Sequence, residues 1–182
     1  MPEQPHLPQR SGARPRTTTT FPHSQLDQHP TDTRHIEAVL AEATTWPSVQ
    51  EQPSTISVEG SRALIVEPGA ETGPAEAFMV GREFCHVHAQ GDLSLHATLP
   101  LPLAIEAERA GWAEPHFLVR TGQAPPTVVL LYAPRDEAEG EVILSLVRAS
   151  YEFATAGVAQ TMANAHARSA APSAVHGSQV ES

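Results

Sequence analysis

Large apolar side chains become frequent only from Ile36 onward. Ile36, Val39 and Leu40 recur at helical spacing behind Asp32 or Thr33 as cap, and Trp46-Pro47 stops the run, which predicts a short helix with one buried stripe. Residues 56–58 and 63–66 are β-rich and separated by Glu59-Gly60-Ser61, the composition of a hairpin turn. A Gly- and Pro-containing loop at 68–75 follows, then a second pair of strands at 77–88 and 93–99. Residues 101–110 read as a helix ended by Gly111, and 128–132 as an apolar run of strand length. The last pattern is the clearest. Asp136 and Glu139 form a capping box after Pro134, and Val142, Ile143, Leu146, Val147 and Phe153 recur at 3.6-residue spacing, predicting a long amphipathic helix. Strands in the middle and helices at the ends predict an α+β fold, an antiparallel sheet with helices packed on one face.

Composition divides the chain. Residues 1–31 carry six prolines, four consecutive threonines at 17–20 and almost no large apolar groups, so too little surface is available for burial to offset ordering entropy, and a disordered Pro/Thr-rich arm is expected. Residues 156–182, rich in Ala, Ser, Gln and His, read as a flexible tail. The remaining 32–155 is one domain, which a chain of 182 residues with 40% apolar content supports. Eleven basic residues against twenty-one acids give a net charge of −10, which disfavours nucleic acid and anionic membrane as partners. No run is apolar enough for a secretory signal or a bilayer span, so no membrane partner is expected. Cys85 is the only cysteine, which excludes an intramolecular disulfide, a zinc ribbon and a CxxC pair, and fits a reducing, cytoplasmic compartment. Every basic residue is arginine, which removes lysine Schiff-base chemistry and a Walker-type phosphate loop; a GC-rich genome accounts for this bias.

Candidate chemistry concentrates between Phe84 and His96. On a strand His86 and His88 point one way, Cys85 and Val87 the other. If Ala89-Gln90-Gly91 is a three-residue loop with Gly91 left-handed, His88 pairs with Asp92, His86 with Ser94 and Phe84 with His96. Cys85, Val87, Leu93, Leu95 and Ala97 then share an apolar face, while the histidines share the other with Phe84, Asp92 and Ser94. Such a face suits three readings. His86, His88 and His96 can ligate zinc, iron or copper, with His116, Asp92 or Glu83 completing the shell or acting from behind it. One imidazole can act as a base, or the face can be merely polar. Trp112 reads as core or substrate platform, and Arg135 as a functional cation or a solvated turn residue.

The order Gly-Arg-Glu-Phe-Cys-His-Val-His at 81–88, Leu95-His96, Gly-Trp-x-x-x-His at 111–116 and Leu-Tyr-Ala-Pro-Arg-Asp at 131–136 resembles the fungal luciferase domain family, over about residues 76–154 with weaker similarity back to about Thr33. The resemblance implies an oxygenase: fungal luciferase oxidises a hydroxylated pyrone, 3-hydroxyhispidin, with molecular oxygen through a peroxide, without flavin or nicotinamide. On that basis His86, His88, His96 and His116 are the catalytic candidates. Phe84, Trp112, Tyr132 and Arg135 are the substrate-binding candidates. O2 is the co-substrate and no organic cofactor is expected, in keeping with the lack of a GxGxxG fingerprint. The luminous enzyme's apolar N-terminal anchor has no counterpart in the polar arm, so membrane attachment is not carried over; nor is light emission, because likeness of fold does not fix the substrate. The alternatives are a non-catalytic domain binding a small molecule or a metal, and an interaction protein whose histidine face is structural.

Overall fold

Alternation along short strands sorts one sheet into two unlike faces. The computed structural model describes residues 6–155. The strands are β1 Val49–Pro53, β2 Arg62–Val66, β3 Glu83–Val87, β4 Leu95–Thr98, β5 Ala113–Pro115 and β6 Val128–Leu131, paired antiparallel in the order β1-β2-β3-β4-β6-β5. The helices are α1 Arg34–Ala43, α2 Leu101–Arg109, the single turn α3 Phe117–Arg120, and α4 Glu137–Ala154. On one face Leu64, Val66, Cys85, Val87, Leu95, Ala97, Val129 and Leu131 join Ile143, Leu146 and Val147 of α4 and Ile36, Val39 and Leu40 of α1 in a continuous buried core. Each such leucine or isoleucine contributes about 1.5–3 kcal/mol by leaving water. The expected α+β architecture, with helices packed on one face of an antiparallel sheet, is the one found.

Helix α4 begins where the capping pattern placed it: the Glu139 N–H donates to Asp136 Oδ1 at 2.9 Å. The first hairpin differs from expectation. β2 pairs with 49–53, whereas 56–58 lie in the connection. β1 is a polar edge strand with only Val49 buried, so it lacks the alternation that marks a half-buried strand. β5 is three residues long and carries no strand signature of its own.

The histidine hairpin forms with its register moved by two. His86 pairs with His96, Cys85 with Ala97 and Val87 with Leu95. The loop is wider than three residues: the His88 N–H donates to the Ser94 carbonyl at 3.0 Å, and Leu93, not Gly91, takes the left-handed conformation at φ 61°. A shift of two preserves the faces, because side chains repeat with period two. Phe84 changes face nonetheless. Leu64 pairs with Cys85 but Ile65 with Glu83, so Phe84 is the extra residue of a β-bulge. The bulge turns Phe84 into the core against Tyr151, ring centroids 6.2 Å apart, and brings Glu83 onto the histidine face.

The largest departure is the arm. Over 6–31 the expected disordered segment is folded onto the domain. Trp112 Nε1 donates to the Pro8 carbonyl at 2.6 Å, Arg10 N–H to the Ala110 carbonyl at 2.9 Å, and Ala133 N–H to Gln25 Oε1 at 2.9 Å. Residues 16–26 form a loop closed by Leu26 N–H to the Arg16 carbonyl at 2.8 Å. Arg10, His23 and Gln25 are all buried. Composition predicts disorder from scarce apolar surface; this segment is held instead by polar groups that satisfy buried backbone and side-chain partners of the domain. The expected tail at 156–182 lies outside the described residues.

Candidate active site

The face opposite the helices carries one row of paired positions across the sheet: Ala63, His86, His96, Leu130 and Glu114. His88 continues β3 on this face, and His116 sits just beyond β5, where its Nδ1 accepts from the Leu118 N–H at 3.2 Å. Neither α1 nor α4 covers the row. The arm's 16–26 loop, the 54–58 connection and the segment after β5 enclose it, leaving a cavity of about 280 Å³ walled by His86, His88, His96, His116 and His23. Ile56, Val58, Leu118 and Pro125 supply its apolar wall.

The sequence-predicted residues divide clearly. All four histidines line the cavity. Phe84 and Trp112 belong to the core on the other side of the sheet and do not line it. Arg135 is drawn away, pairing with Glu139 and donating to the Ser11 carbonyl at 2.9 Å, so it anchors the arm. Tyr132 is buried behind the site, its hydroxyl donating to Glu114 Oε2 at 3.1 Å. Two residues escaped sequence reasoning, His23 and Glu114. His23 lies in a segment whose composition reads as disordered, and Glu114 in a stretch with no visible strand, so neither had a face to be assigned to.

Each of three histidines has a carboxylate behind it. His86 Nδ1 is 2.6 Å from Glu83 Oε1, which also accepts from Ser54 Oγ at 3.0 Å. His88 Nδ1 is 3.2 Å from Asp92 Oδ1. His23 Nε2 is 2.9 Å from Glu114 Oε1. A carboxylate only accepts, so the facing ring nitrogen donates and the tautomer of each ring is set. His86 Nε2 in turn lies 2.9 Å from His96 Nδ1. His23 stacks on His96 with centroids 5.4 Å apart, and His116 meets both edge-on at 4.9 and 4.7 Å.

Burial governs the electrostatics. It lowers His86 against the opposing pull of Glu83, and lowers His96 well below the ordinary imidazole range, helped by the surrounding histidines. His116 falls to about 4, first through burial and then through His23, His86 and His88. Burial alone would raise the Asp92 and Glu114 carboxyls. Hydrogen bonds from His88 and Ser94 hold the first below its ordinary value, and those from His23 and Thr17 the second. The site at neutral pH therefore combines neutral rings at His86, His96 and His116 with ionised carboxylates at Asp92 and Glu114. Burial also pushes the Cys85 thiol up, which removes it as a nucleophile.

A buried histidine cluster braced by carboxylates on one face of an antiparallel sheet has the groups that proton transfer or metal binding would use. Comparison with known proteins shows where this arrangement recurs. Residues 81–150 match the family model described as Luciferase domain, and this span holds β3, the histidine hairpin and His116. The chain is 29% identical over 174 residues to a luciferase of Armillaria ostoyae, covering 87% of this chain and 65% of that protein. It is 29% identical over 167 residues to a luciferase of Armillaria gallica, covering 83% and 62%. With a luciferase of Neonothopanus nambi it shares 38% identity over 76 residues, 41% of this chain and 28% of that one. Over residues 81–150 the chain is therefore similar to the luciferase domain, and it spans just under two thirds of the length of the two Armillaria proteins. No solved structure matches. Among the described residues no helix is long and apolar enough to cross a membrane.

Proposed function

We propose that the cavity binds a small phenolic or pyrone-type enol and delivers it to molecular oxygen without an organic cofactor, with His88 as the base. The observation that carries this reading is the Asp92–His88 pair in the cavity wall. Asp92 accepts from Nδ1, so Nε2 is the basic nitrogen, and an aligned carboxylate stabilises the imidazolium that forms. Proton transfer from the enol hydroxyl to Nε2 leaves an electron-rich enolate. Its carbon forms a bond to O2, which accepts two electrons, and the proton returns from His88 to the distal oxygen to give a hydroperoxide.

The lining supports a flat, partly apolar ligand. The volume of about 280 Å³ lies just below the ~300–1,000 Å³ common for small-molecule sites, which suits a small ligand. Phe21 is 65% exposed and Ile56 40% exposed, both at the cavity, where they are free to cover an aromatic ring. Similarity to the fungal luciferases supports an oxidative reading of the same cavity.

The test is oxygen consumption by the purified full chain with 3-hydroxylated pyrones and catechol-like phenols. Turnover is expected with at least one pyrone, falling by about 10²–10⁴ in His88→Ala and strongly in Asp92→Asn, with circular dichroism unchanged. Full turnover in both variants would reject the base assignment. Tight pyrone binding with no oxygen uptake would make the protein a binding domain instead.

A further inference from the structure

Following the protons through the cluster leaves two ring nitrogens bare. Glu83 accepts from His86 Nδ1, so His86 Nε2 carries a lone pair and accepts from His96 Nδ1 at 2.9 Å. The lone pair of His96 therefore sits on Nε2, which is buried and has no hydrogen-bond partner among the described residues. Glu114 accepts from His23 Nε2, so the lone pair of His23 sits on Nδ1, likewise buried and without such a partner. A buried acceptor without a donor forfeits its hydration uncompensated, at about 1–3 kcal/mol each. Both rings belong to one group with His116 whose potential ligand nitrogens lie within 4.8 Å of one another.

We propose that His23, His96 and His116 hold one divalent transition-metal ion of the imidazole-binding kind, zinc or iron(II). A three-histidine set with the cavity beside it is the ligand pattern of an open metal site, with a position left for water or substrate. Nitrogens 4.8 Å apart reach the ~2.0–2.1 Å metal–nitrogen distance when each ring moves inward by roughly 0.7 Å. His116 pays for its role: binding through Nε2 moves its proton to Nδ1 and gives up the 3.2 Å contact with the Leu118 N–H.

Charge points the same way. Glu83, Asp92 and Glu114 surround the cluster, with side chains only 3, 7 and 14% exposed, and their ionic contacts among the described residues are to histidine alone. Glu139, equally buried, is met by both Arg10 and Arg135. The fold therefore supplies arginine to a buried carboxylate elsewhere and leaves these three for another cation. The carboxylates also occupy the outer-shell positions that orient metal-bound imidazoles, Glu114 directly on His23 and Glu83 through His86. The other grouping, His86, His88 and His96, has similar spacing, but His86 Nε2 and His96 Nδ1 already satisfy each other.

The inference is independent of oxygenation, because binding is read without substrate. The full chain, stripped with chelator, is titrated with Co2+ alone under equilibrium dialysis and visible absorption. One equivalent is expected, with the intense bands of a low-coordinate nitrogen site. His23→Ala and His96→Ala should abolish saturable binding. Glu114→Gln, which keeps the side-chain volume, should weaken it about 10–100-fold. His88→Ala should leave it unchanged. Substoichiometric Co2+ with the aqueous spectrum, or wild-type binding in folded His23→Ala, overturns the proposal; loss in His88→Ala with retention in His23→Ala moves the ion to the other grouping. Metal binding without pyrone turnover leaves this proposal standing and removes the oxygenase reading.

Discussion

The two faces of the sheet are built from the same strands and obey different rules. On the helix side Leu95, Ala97, Val129 and Leu131 lie in a shared apolar cluster where each side chain touches many others. On the cavity side each polar group depends on one or two partners: His86 on Glu83, His88 on Asp92, His23 on Glu114. Apolar packing is non-directional and spreads loss over neighbours, whereas a buried hydrogen bond is directional and fails as a unit. The first face supplies stability, and the second gathers directional polar groups at some cost to it.

Substitutions can break that contrast. Leu95→Ala, at a fully buried position, should lower unfolding free energy by about 2–5 kcal/mol in urea titrations while leaving ligand binding in the cavity intact at low denaturant. Glu83→Ala strips His86 Nδ1 and Ser54 Oγ of their acceptor and should cost about 1–3 kcal/mol, less than Leu95→Ala. A larger cost for Glu83→Ala would reverse the assignment of the two faces. Gln25→Ala removes the acceptor of the Ala133 N–H and should cost about 1–2 kcal/mol. Its sharper reading is local: amide exchange should rise across residues 16–26 while α4 keeps its protection.

A further contrast lies in the pH response of chelator-treated protein. His116 lies at about 4 in the folded state against an ordinary 6.5, and His86 and His96 are lowered too. The unfolded chain then binds more protons than the folded one between those values, so stability falls as pH drops from 6.5 towards 4. The thermal midpoint should decline through this window, and His116→Gln should flatten part of the decline. An unchanged slope in that variant would show that His116 is not among the groups responsible.

Much of this architecture was legible in the chain. The capping box at Asp136 placed the start of α4, and alternation over 85–97 assigned His86, His88 and His96 to one face even though the predicted register was two residues off. Phe84 was misread because a bulge depends on how β2 pairs across the sheet, and nothing in Glu-Phe-Cys-His announces the extra residue. Trp112 and Arg135 were drawn towards the site by their chemistry alone. In the fold the indole donates to Pro8 and the guanidinium reaches Ser11, both in the arm.

By itself the sequence determined the antiparallel sheet, the helix-covered face and the segregation of histidines from leucines, because these follow from periodicities of 2 and 3.6 that neighbouring residues carry. Tertiary structure alone decided which polar groups meet. His23 stands 73 positions before His96 and Glu114 stands 91 after His23, and their convergence depends on chain closure over those distances, which no local pattern encodes.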